Sequence, residues 1–457
     1  MKHRIEHDSM GEVRVPESAL FGAQTQRAID NFGLLQRPMP VAFIRNLAQI
    51  KSAAAAANRD CGALDAEIAD ALERVAAQVA AGEYRDHFPL SVFQTGSGTS
   101  TNMNMNEVLA RLASEASGRA VHPNDHVNCS QSSNDVIPSC IQVTAAQGWA
   151  RTLQPALENL FNTVTERSRE LDDVTKTGRT HLMDAMPLTF GQELGAWAYQ
   201  LEECQQRFRD LLPRLCQLPI GGSAVGTGVN VPEGFPAGLV LALGQALDQD
   251  FRVADNPFSR MAGQEVALEY SACLRALAVT LSKISNDLRW MASGPLSGLA
   301  EITLQPLQPG SSIMPGKVNP VLPEAVLMVA AEVIGHDSSV AVASHSGNFQ
   351  LNVMLPLIAD KLCSGFETLS WACSATERAI AGFSINRDRI ERSLASNPIL
   401  VTALNAFIGY EAAAAFAKRS YAEQRPVLDV AEEETGLPRE ELANLLDPIR
   451  LTNTGRE

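Results

Sequence analysis

The sequence predicts a mainly α-helical protein built around a central bundle of long antiparallel helices. Three observations lead there. Alanine is abundant, with runs at Ala53–Ala57 and Ala412–Ala415, and aromatic residues make up only 5% of the chain; alanine has the highest helix propensity of any residue. Apolar residues recur at steps of three and four over stretches of roughly 20 to 30 residues, the spacing that puts them on one helix stripe. The segments between these stretches are rich in Gly, Pro, Ser and Asn and lack the period-two alternation of a half-buried strand.

The stripes fall in order along the chain. A weaker one reads Leu153, Leu157, Leu160, Val164, Leu171, and a second reads Leu194, Ala198, Leu201, Cys204, Phe208, Leu211, Leu215. A third runs Tyr270, Leu274, Leu277, Leu281, Ile284, Leu288, Met291. A fourth spans Pro323 to about Ser344, and a fifth reads Ile358, Leu362, Phe366, Leu369, Cys373, Thr376, Ile380, Phe383. At 1.5 Å per residue each is roughly 30–45 Å long. Such helices need partners along their whole length, which a bundle supplies. Five of them exceed what one subunit can cover, so a homo-oligomer is expected. Boundaries are placed near 135 and 390: a mostly helical region 1–135, a long-helix region 136–390, and a small helical region 391–457, where the apolar seams shorten.

Of the 457 residues, 37 are Lys or Arg and 52 are Asp or Glu, a net charge of −15. The apolar fraction of 45% marks a packed globular chain rather than a disordered one. The acidic balance argues against nucleic acid or an anionic membrane as partner, since both need clustered cations. No apolar run reaches the ~18 residues of a membrane span, and the N-terminus MKHRIEHDSMGEVRVPE lacks the apolar stretch of a signal peptide. A cytoplasmic protein is therefore expected. The eight cysteines contain no C-x-x-C pair, so zinc and closely spaced iron–sulfur motifs are not expected and buried thiols are.

The segment GSSIMPGKVNP (Gly310–Pro320) is chemically the most informative. It holds two adjacent hydroxyls, one cation (Lys317), one amide (Asn319) and no carboxylate, a donor set that suits a carboxylate or phosphate; a solvated inter-helix loop is the alternative. HPNDHVN (His122–Asn128) has possible metal donors in His122, Asp125 and His126, or is a turn capped by Asn124 or Asp125. QSSND (Gln131–Asp135) places Ser132, Ser133 and Asn134 before a helix, where free amides attract anions or the side chains act as caps. GRTHL sets Thr180 and His181 between two helical stretches. No G-x-S-x-G elbow and no P-loop ending are present. Taken together, these loops suit a dicarboxylate and acid–base chemistry without a metal.

GSSIMPGKVNP resembles the signature loop of the fumarase/aspartase superfamily. The resemblance runs through RIEHDSMGEVRVPESALFGAQTQRAI, TGSGTSTNMNMNEVLA, HPNDHVNCSQSSND, GRTHL, GGSAVGTGVN, SGNFQLNV and VTALNAFIGYEAA, nearly the whole chain. TGSGT, SGNF and VTALN-x-x-IGY are most similar to the class II fumarases. The resemblance implies a homotetramer that pools its central helices, active sites sharing loops between subunits, no cofactor, no metal, and reversible hydration of fumarate to (S)-malate in the tricarboxylic acid cycle. It implies Ser311 as general base, with Lys317, Asn319 and Thr180 holding the carboxylate beside the reacting carbon. Thr99, Ser132, Ser133 and Asn134 would hold the other carboxylate and the leaving hydroxyl, with Ser97 in the same loop. His181 would contact water, paired with Glu324. A second anion site would include His122, Asn124 and Asp125. NPVLPE (Asn319–Glu324) and QLNVM (Gln350–Met354) lean instead to aspartases, so an aspartate ammonia-lyase is the alternative, followed by a lyase of larger succinyl adducts. A non-enzymatic helical bundle is disfavoured by the presence of Ser311, Lys317, Asn319, Thr180 and His181 together.

Overall fold

The computed structural model of the chain describes residues 2–33, 36–423 and 425–452; the last five residues of the expected C-terminal region lie outside the described residues. In chain order the main elements are strands β1 (His3–Asp8) and β2 (Gly11–Pro16), then helices α1 (Ala23–Phe32), α2 (Val41–Asp60), α3 (Ala66–Ala81), α4 (Thr99–Ser117), α5 (Ser133–Gly148) and α6 (Gln154–Glu170). Strands β3 (Thr175–Thr180) and β4 (Met183–Thr189) follow, then α7 (Phe190–Leu215), α8 (Phe235–Leu247), α9 (Pro257–Ala262), α10 (Glu265–Met291), α11 (Val321–Ser344) and α12 (Leu355–Gly382). Short helices continue from Arg387 to Leu451. The fold is mainly α, as expected.

The long helices fall where the apolar spacing puts them. Tyr270, Leu274, Leu277, Leu281, Ile284, Leu288 and Met291 are all buried on α10, and Leu194, Leu201, Phe208, Leu211 and Leu215 on α7. Leu171 and Phe383 each lie one residue beyond a helix end yet are buried, so the stripe outlasts the helix.

Two compact units divide the chain. The first comprises Met1–Pro155, Cys204–Ala278 and Ala331–Ser370. Its hub is α2, which packs against α3, α5 and α8. The alanine run permits this: a Cβ on Gly238 of α8 would sit 3.4 Å from the Ala57 methyl, so the two backbones meet over side chains of one carbon or none. Trp149 stacks on Phe208 at 4.3 Å between centroids, and Phe208 meets Tyr270 edge-on at 5.6 Å.

The second unit comprises Ala156–Glu203, Val279–Ala330 and Trp371–Glu457. It holds the β3–β4 hairpin, parts of the long helices, and a separate C-terminal core of Leu394, Leu400, Val401, Leu404, Phe416, Val427, Val430 and Leu442.

Two expectations need correction. GRTHL does not lie between helices. Thr180 ends strand β3, and His181 and Leu182 form the two-residue turn to β4, with Thr180 paired to Met183. The alternation there is masked because the buried positions of β3 are polar, Lys176 and Thr177, while the apolar Leu182 and Met183 are exposed at the tip. Second, α11 is long and apolar enough to cross a membrane by length and composition, with a third of its apolar window buried. Glu324 and Glu332 interrupt the apolar run, yet the helix as a whole stays apolar. The helix carries an ion pair to a neighbouring helix, Asp337 Oδ2 to Arg275 Nη1 at 2.5 Å.

Leu281 is fully buried on α10. Leu281→Ala removes three buried carbons and leaves a cavity; it should cost about 2–5 kcal/mol, read as a lower denaturant midpoint. A loss below about 1 kcal/mol would show that the α10 stripe does not face a packed core.

Candidate active site

The first unit carries two helix starts rich in hydroxyls. TGSGT leads into α4. Gly96 must be glycine, since a Cβ there would lie 1.8 Å from the Val353 carbonyl oxygen, and Leu355 N–H donates to the Gly96 carbonyl at 3.0 Å. That contact docks the loop on the segment that follows SGNFQLNV. Gly98 takes φ +73° and turns the chain into the helix. Ser97 Oγ and Thr99 Oγ1 then lie 2.7 Å apart, Ser97 buried and Thr99 half-buried.

QSSND starts α5 with a capping box. Ser132 Oγ accepts from the Asn134 amide at 3.2 Å, and Asp135 Oδ1 accepts from the Ser132 amide at 2.9 Å. The other Asp135 oxygen accepts from the Gly221 and Ser223 amides at 3.0 and 2.9 Å, so one carboxylate ties GGSAVGTGVN to the helix start. Asn134 Nδ2 donates to the Ala224 carbonyl at 2.8 Å. Ser132 therefore caps, while Ser133 is buried and accepts from Asn102 Nδ2 at 3.0 Å. Burial raises the Asp135 carboxyl to about 6, against the pull of its amide donors and of Lys51.

In HPNDHVN the cap is His122, not Asn124 or Asp125. His122 Nδ1 accepts from the Asp125 amide at 3.2 Å, and the His122 amide donates to His126 Nδ1 at 2.8 Å. With Nδ1 accepting from an amide it bears no proton for the Asp125 carboxylate, which lies 3.1 Å away. The imidazole wins as cap because the one-turn π-helix Pro123–Val127 brings residue 125 back under it. His122, Asn124 and Asp125 are all exposed, and among the described residues no group of three or more His, Cys, Asp or Glu is arranged to hold a metal.

The second unit carries the remaining expected residues. His181 and Leu182 turn the β3–β4 hairpin with φ of +56° and +61°, values that suit a type I′ turn and that side-chain-bearing residues rarely adopt. Thr180 and His181 are exposed at its tip. The hairpin is braced from below. Lys176, 2% exposed, places Nζ 2.7 Å from Glu193 Oε2 and 2.9 Å from Glu301 Oε2, over the Phe190 ring at 4.4 Å. Arg179 Nη2 reaches Glu301 Oε1 at 2.7 Å. Gly178 sits at the register shift, where a Cβ would be 2.4 Å from the Met186 carbonyl.

GSSIMPGKVNP is a closed loop before α11. Its neck is tied by Gly310 N–H to the Lys317 carbonyl at 2.8 Å and by Asn319 Nδ2 to the Gly310 carbonyl at 2.9 Å. Gly316 turns it with φ +82°. At its head, Ser311 Oγ accepts from two backbone amides, Ile313 at 3.2 Å and Met314 at 3.0 Å. Two amides aimed at one oxygen stabilise negative charge on it. Lys317 is exposed, and one N–H of the Asn319 amide is already used on the loop itself. Glu324 is half-buried in the first turn of α11. Among the described residues no hydrogen bond or ion pair joins it to His181 within one chain.

Sequence reasoning missed the supporting residues. Lys176, Arg179, Glu193 and Glu301 show no motif, being joined only by folding. Asp135 was legible: Ser132-x-x-Asp135 has capping-box spacing. Lys51 was legible as an anomaly, a cation inside the apolar, alanine-rich stretch of α2.

A helical fold with hydroxyl-, amide- and lysine-bearing loops defines a class: residues 11–335 match the model of a lyase family, and residues 400–453 that of the fumarase C C-terminus. A fumarate hydratase class II of Xylella fastidiosa is 54% identical over 455 residues, covering 99% of this chain and 96% of that one. Fumarate hydratase class II 2 of Pseudomonas aeruginosa is 52% identical over 453 residues, covering 99% of each. The crystal structure of recombinant class II fumarase from Schistosoma mansoni superposes with a TM-score of 0.96 at 35% identity, covering all of both chains. This chain belongs to the class II fumarase family.

Ser132→Ala removes the α5 cap and should cost about 1 kcal/mol, seen as a small drop in melting temperature. An unchanged melting temperature would mean that Asp135 alone holds this helix start.

Proposed function

We propose that this chain is a lyase of the hydratase type that interconverts fumarate and (S)-malate by acid–base chemistry, without a cofactor. The near full-length likeness to fumarate hydratases supports the reaction. The observation that carries the mechanism is the pair of amides on Ser311 Oγ.

A serine hydroxyl is a poor base unless its deprotonated form is stabilised, and two backbone donors do that at no reorganisation cost. Ser311 Oγ takes the proton from C3 of malate. The C–H electron pair flows into the adjacent carboxylate, which becomes a doubly negative aci-carboxylate. Lys317, the second N–H of Asn319, and Thr180 hold that group and bind it more tightly as its charge grows, which lowers the barrier. The pair then returns to form the C=C bond as the C2–O bond breaks, and the hydroxyl leaves as water after protonation. Thr99, Ser132, Ser133 and Asn134, with Ser97 behind Thr99, hold the second carboxylate and the leaving hydroxyl. His181, oriented by Glu324, handles the water. His122, Asn124 and Asp125 form an outer anion site.

The same reading includes a homotetramer. Its support is the apolar surface a single chain leaves open on the long helices: Met328 and Val342 on α11, Val279 and Trp290 on α10, and Tyr199 on α7 are exposed. His181 and Glu324 would then meet between subunits. A three-region organisation at 1–135, 136–390 and 391–457 belongs to this proposal, as does a cytoplasmic location, which eight free cysteines support.

Ammonia as leaving group is the competing reading, from NPVLPE and QLNVM; the relatives named above are fumarate hydratases, which favours water. An assay of fumarate formation with EDTA present decides: fumarate should form from (S)-malate and not from L-aspartate, and the reverse would establish an ammonia-lyase. Ser311→Ala should lower kcat by on the order of 10²–10⁴ while substrate binding survives; near-normal turnover would remove Ser311 as the base. Lys317→Met should weaken both KM and kcat, and an unaltered rate would place the carboxylate elsewhere.

A further inference from the structure

Helix α2 buries a cation that the mechanism above does not use. Lys51 is 2% exposed. Its Nζ donates to Asn128 Oδ1 at 3.1 Å and to Gln131 Oε1 at 3.0 Å, and among the described residues no carboxylate lies within ion-pair distance of it. Two turns along the same helix, Asn58 grips the same segment: its Nδ2 donates to the Cys129 carbonyl at 3.0 Å, and its Oδ1 accepts from Ser130 Oγ at 2.6 Å. The span 128–131, which leads directly into Ser132, Ser133 and Asn134, is thus clamped to α2.

Asn128 extends the contact toward the hydroxyls. Its Oδ1 also accepts from Asn102 and Asn106 Nδ2, each at 3.1 Å, and Asn102 Nδ2 donates in turn to Ser133 Oγ at 3.0 Å. The Oδ1 atoms of Asn102 and Asn106 are buried with no hydrogen-bond partner. This cluster is rich in amides and holds one positive charge without a matching anion in contact. A buried ammonium lacking a paired carboxylate is costly to the fold, and burial lowers the Lys51 ammonium to about 7, with the Asp135 charge the main influence opposing that. The titratable groups facing it are Asp135 and the buried thiol of Cys140, both on α5. A fold that keeps such a charge beside an anion-binding helix start gains when an anion arrives there.

We infer that Lys51 is a positioning residue for the substrate carboxylate held at the start of α5: a buried cation that acts through Asn128, Gln131 and Asn102 to fix the Ser132–Asn134 turn and supplies positive charge behind it. The inference rests on the reading of Ser132, Ser133 and Asn134 as a carboxylate half-site.

The test is steady-state kinetics on the full-length Lys51→Met and Lys51→Gln variants beside the wild type, with melting temperature and with succinate as a non-reacting dicarboxylate inhibitor. The expected result is a KM for fumarate and a Ki for succinate raised about tenfold or more, the loss of a charge-assisted contribution, with kcat within about threefold. The Lys51→Met melting temperature should be unchanged or higher, because methionine removes a buried unpaired charge. A lowered melting temperature with unchanged KM and Ki would make Lys51 structural and overturn the inference, as would unchanged values of all three. If Lys51→Met does not fold, Lys51→Gln, which keeps a donor but not the charge, decides by the same KM and Ki criterion; failure of both to fold also assigns a structural role. A wild type inactive on fumarate and malate would instead sink the functional reading itself.

Discussion

Backbone amides converging on single side-chain oxygens are the interaction on which this molecule's chemistry depends. Its helices are held by apolar packing, but the residues of the proposed site sit on loops, at a hairpin tip and in the first turns of helices, where the ladder of backbone hydrogen bonds is absent or incomplete. Buried or half-buried acceptors take that place. Ser311 gathers two amides at the head of its loop, and Asp135 gathers three from two segments. Glu107 gathers the amides of Gly22, Gln24 and Thr25 and the Thr25 hydroxyl at the start of α1. Removing any of these acceptors leaves several donors unsatisfied at once, which costs more than losing one hydrogen bond.

The same arrangement explains why an acidic protein can handle an acidic substrate. The net charge of −15 lies largely on exposed surface, whereas the loops Thr95–Thr99, Gln131–Asn134 and Gly310–Pro320 contain no carboxylate side chain. In the proposed site, local donors, helix starts and Lys317, with the buried Lys51 behind them, would set the field that a dicarboxylate meets. Asp135 lies next to one of these loops but turns its oxygens onto amides, which keeps its charge occupied.

The fold was largely legible before the structure. Steps of three and four residues located α7, α10 and α12 because each buries one continuous stripe, and periodicity reports just that. It failed at the β3–β4 hairpin, where polar Lys176 and Thr177 are buried and apolar Leu182 and Met183 are exposed at the tip, so no alternation marks the strands. It located α11 as well, where Val326, Ala330, Val333, Asp337, Val340 and Ala343 are buried at the same steps of three and four, but it did not mark the second apolar face, on which Met328 and Val342 are exposed. Within the candidate site, the hydroxyls, Lys317 and His181 were legible as residue types, and Ser132 as a cap. What holds them was not. The Lys176–Glu193–Glu301–Arg179 brace joins positions up to 125 residues apart in sequence, and the His122 cap depends on a one-turn π-helix that composition does not signal.

In the proposed tetramer each active site shares loops between subunits, and the arrangement to be tested is one in which the Ser311 loop and the Ser132–Asn134 turn of a site come from different subunits. The most direct test is complementation between two inactive variants, Ser311→Ala and Ser133→Ala, co-assembled from equal amounts. Random assembly then leaves roughly a quarter of the sites with both wild-type serines, so activity should return to about that fraction of the wild-type value. Mixed tetramers that form but stay inactive would contradict a site shared between subunits.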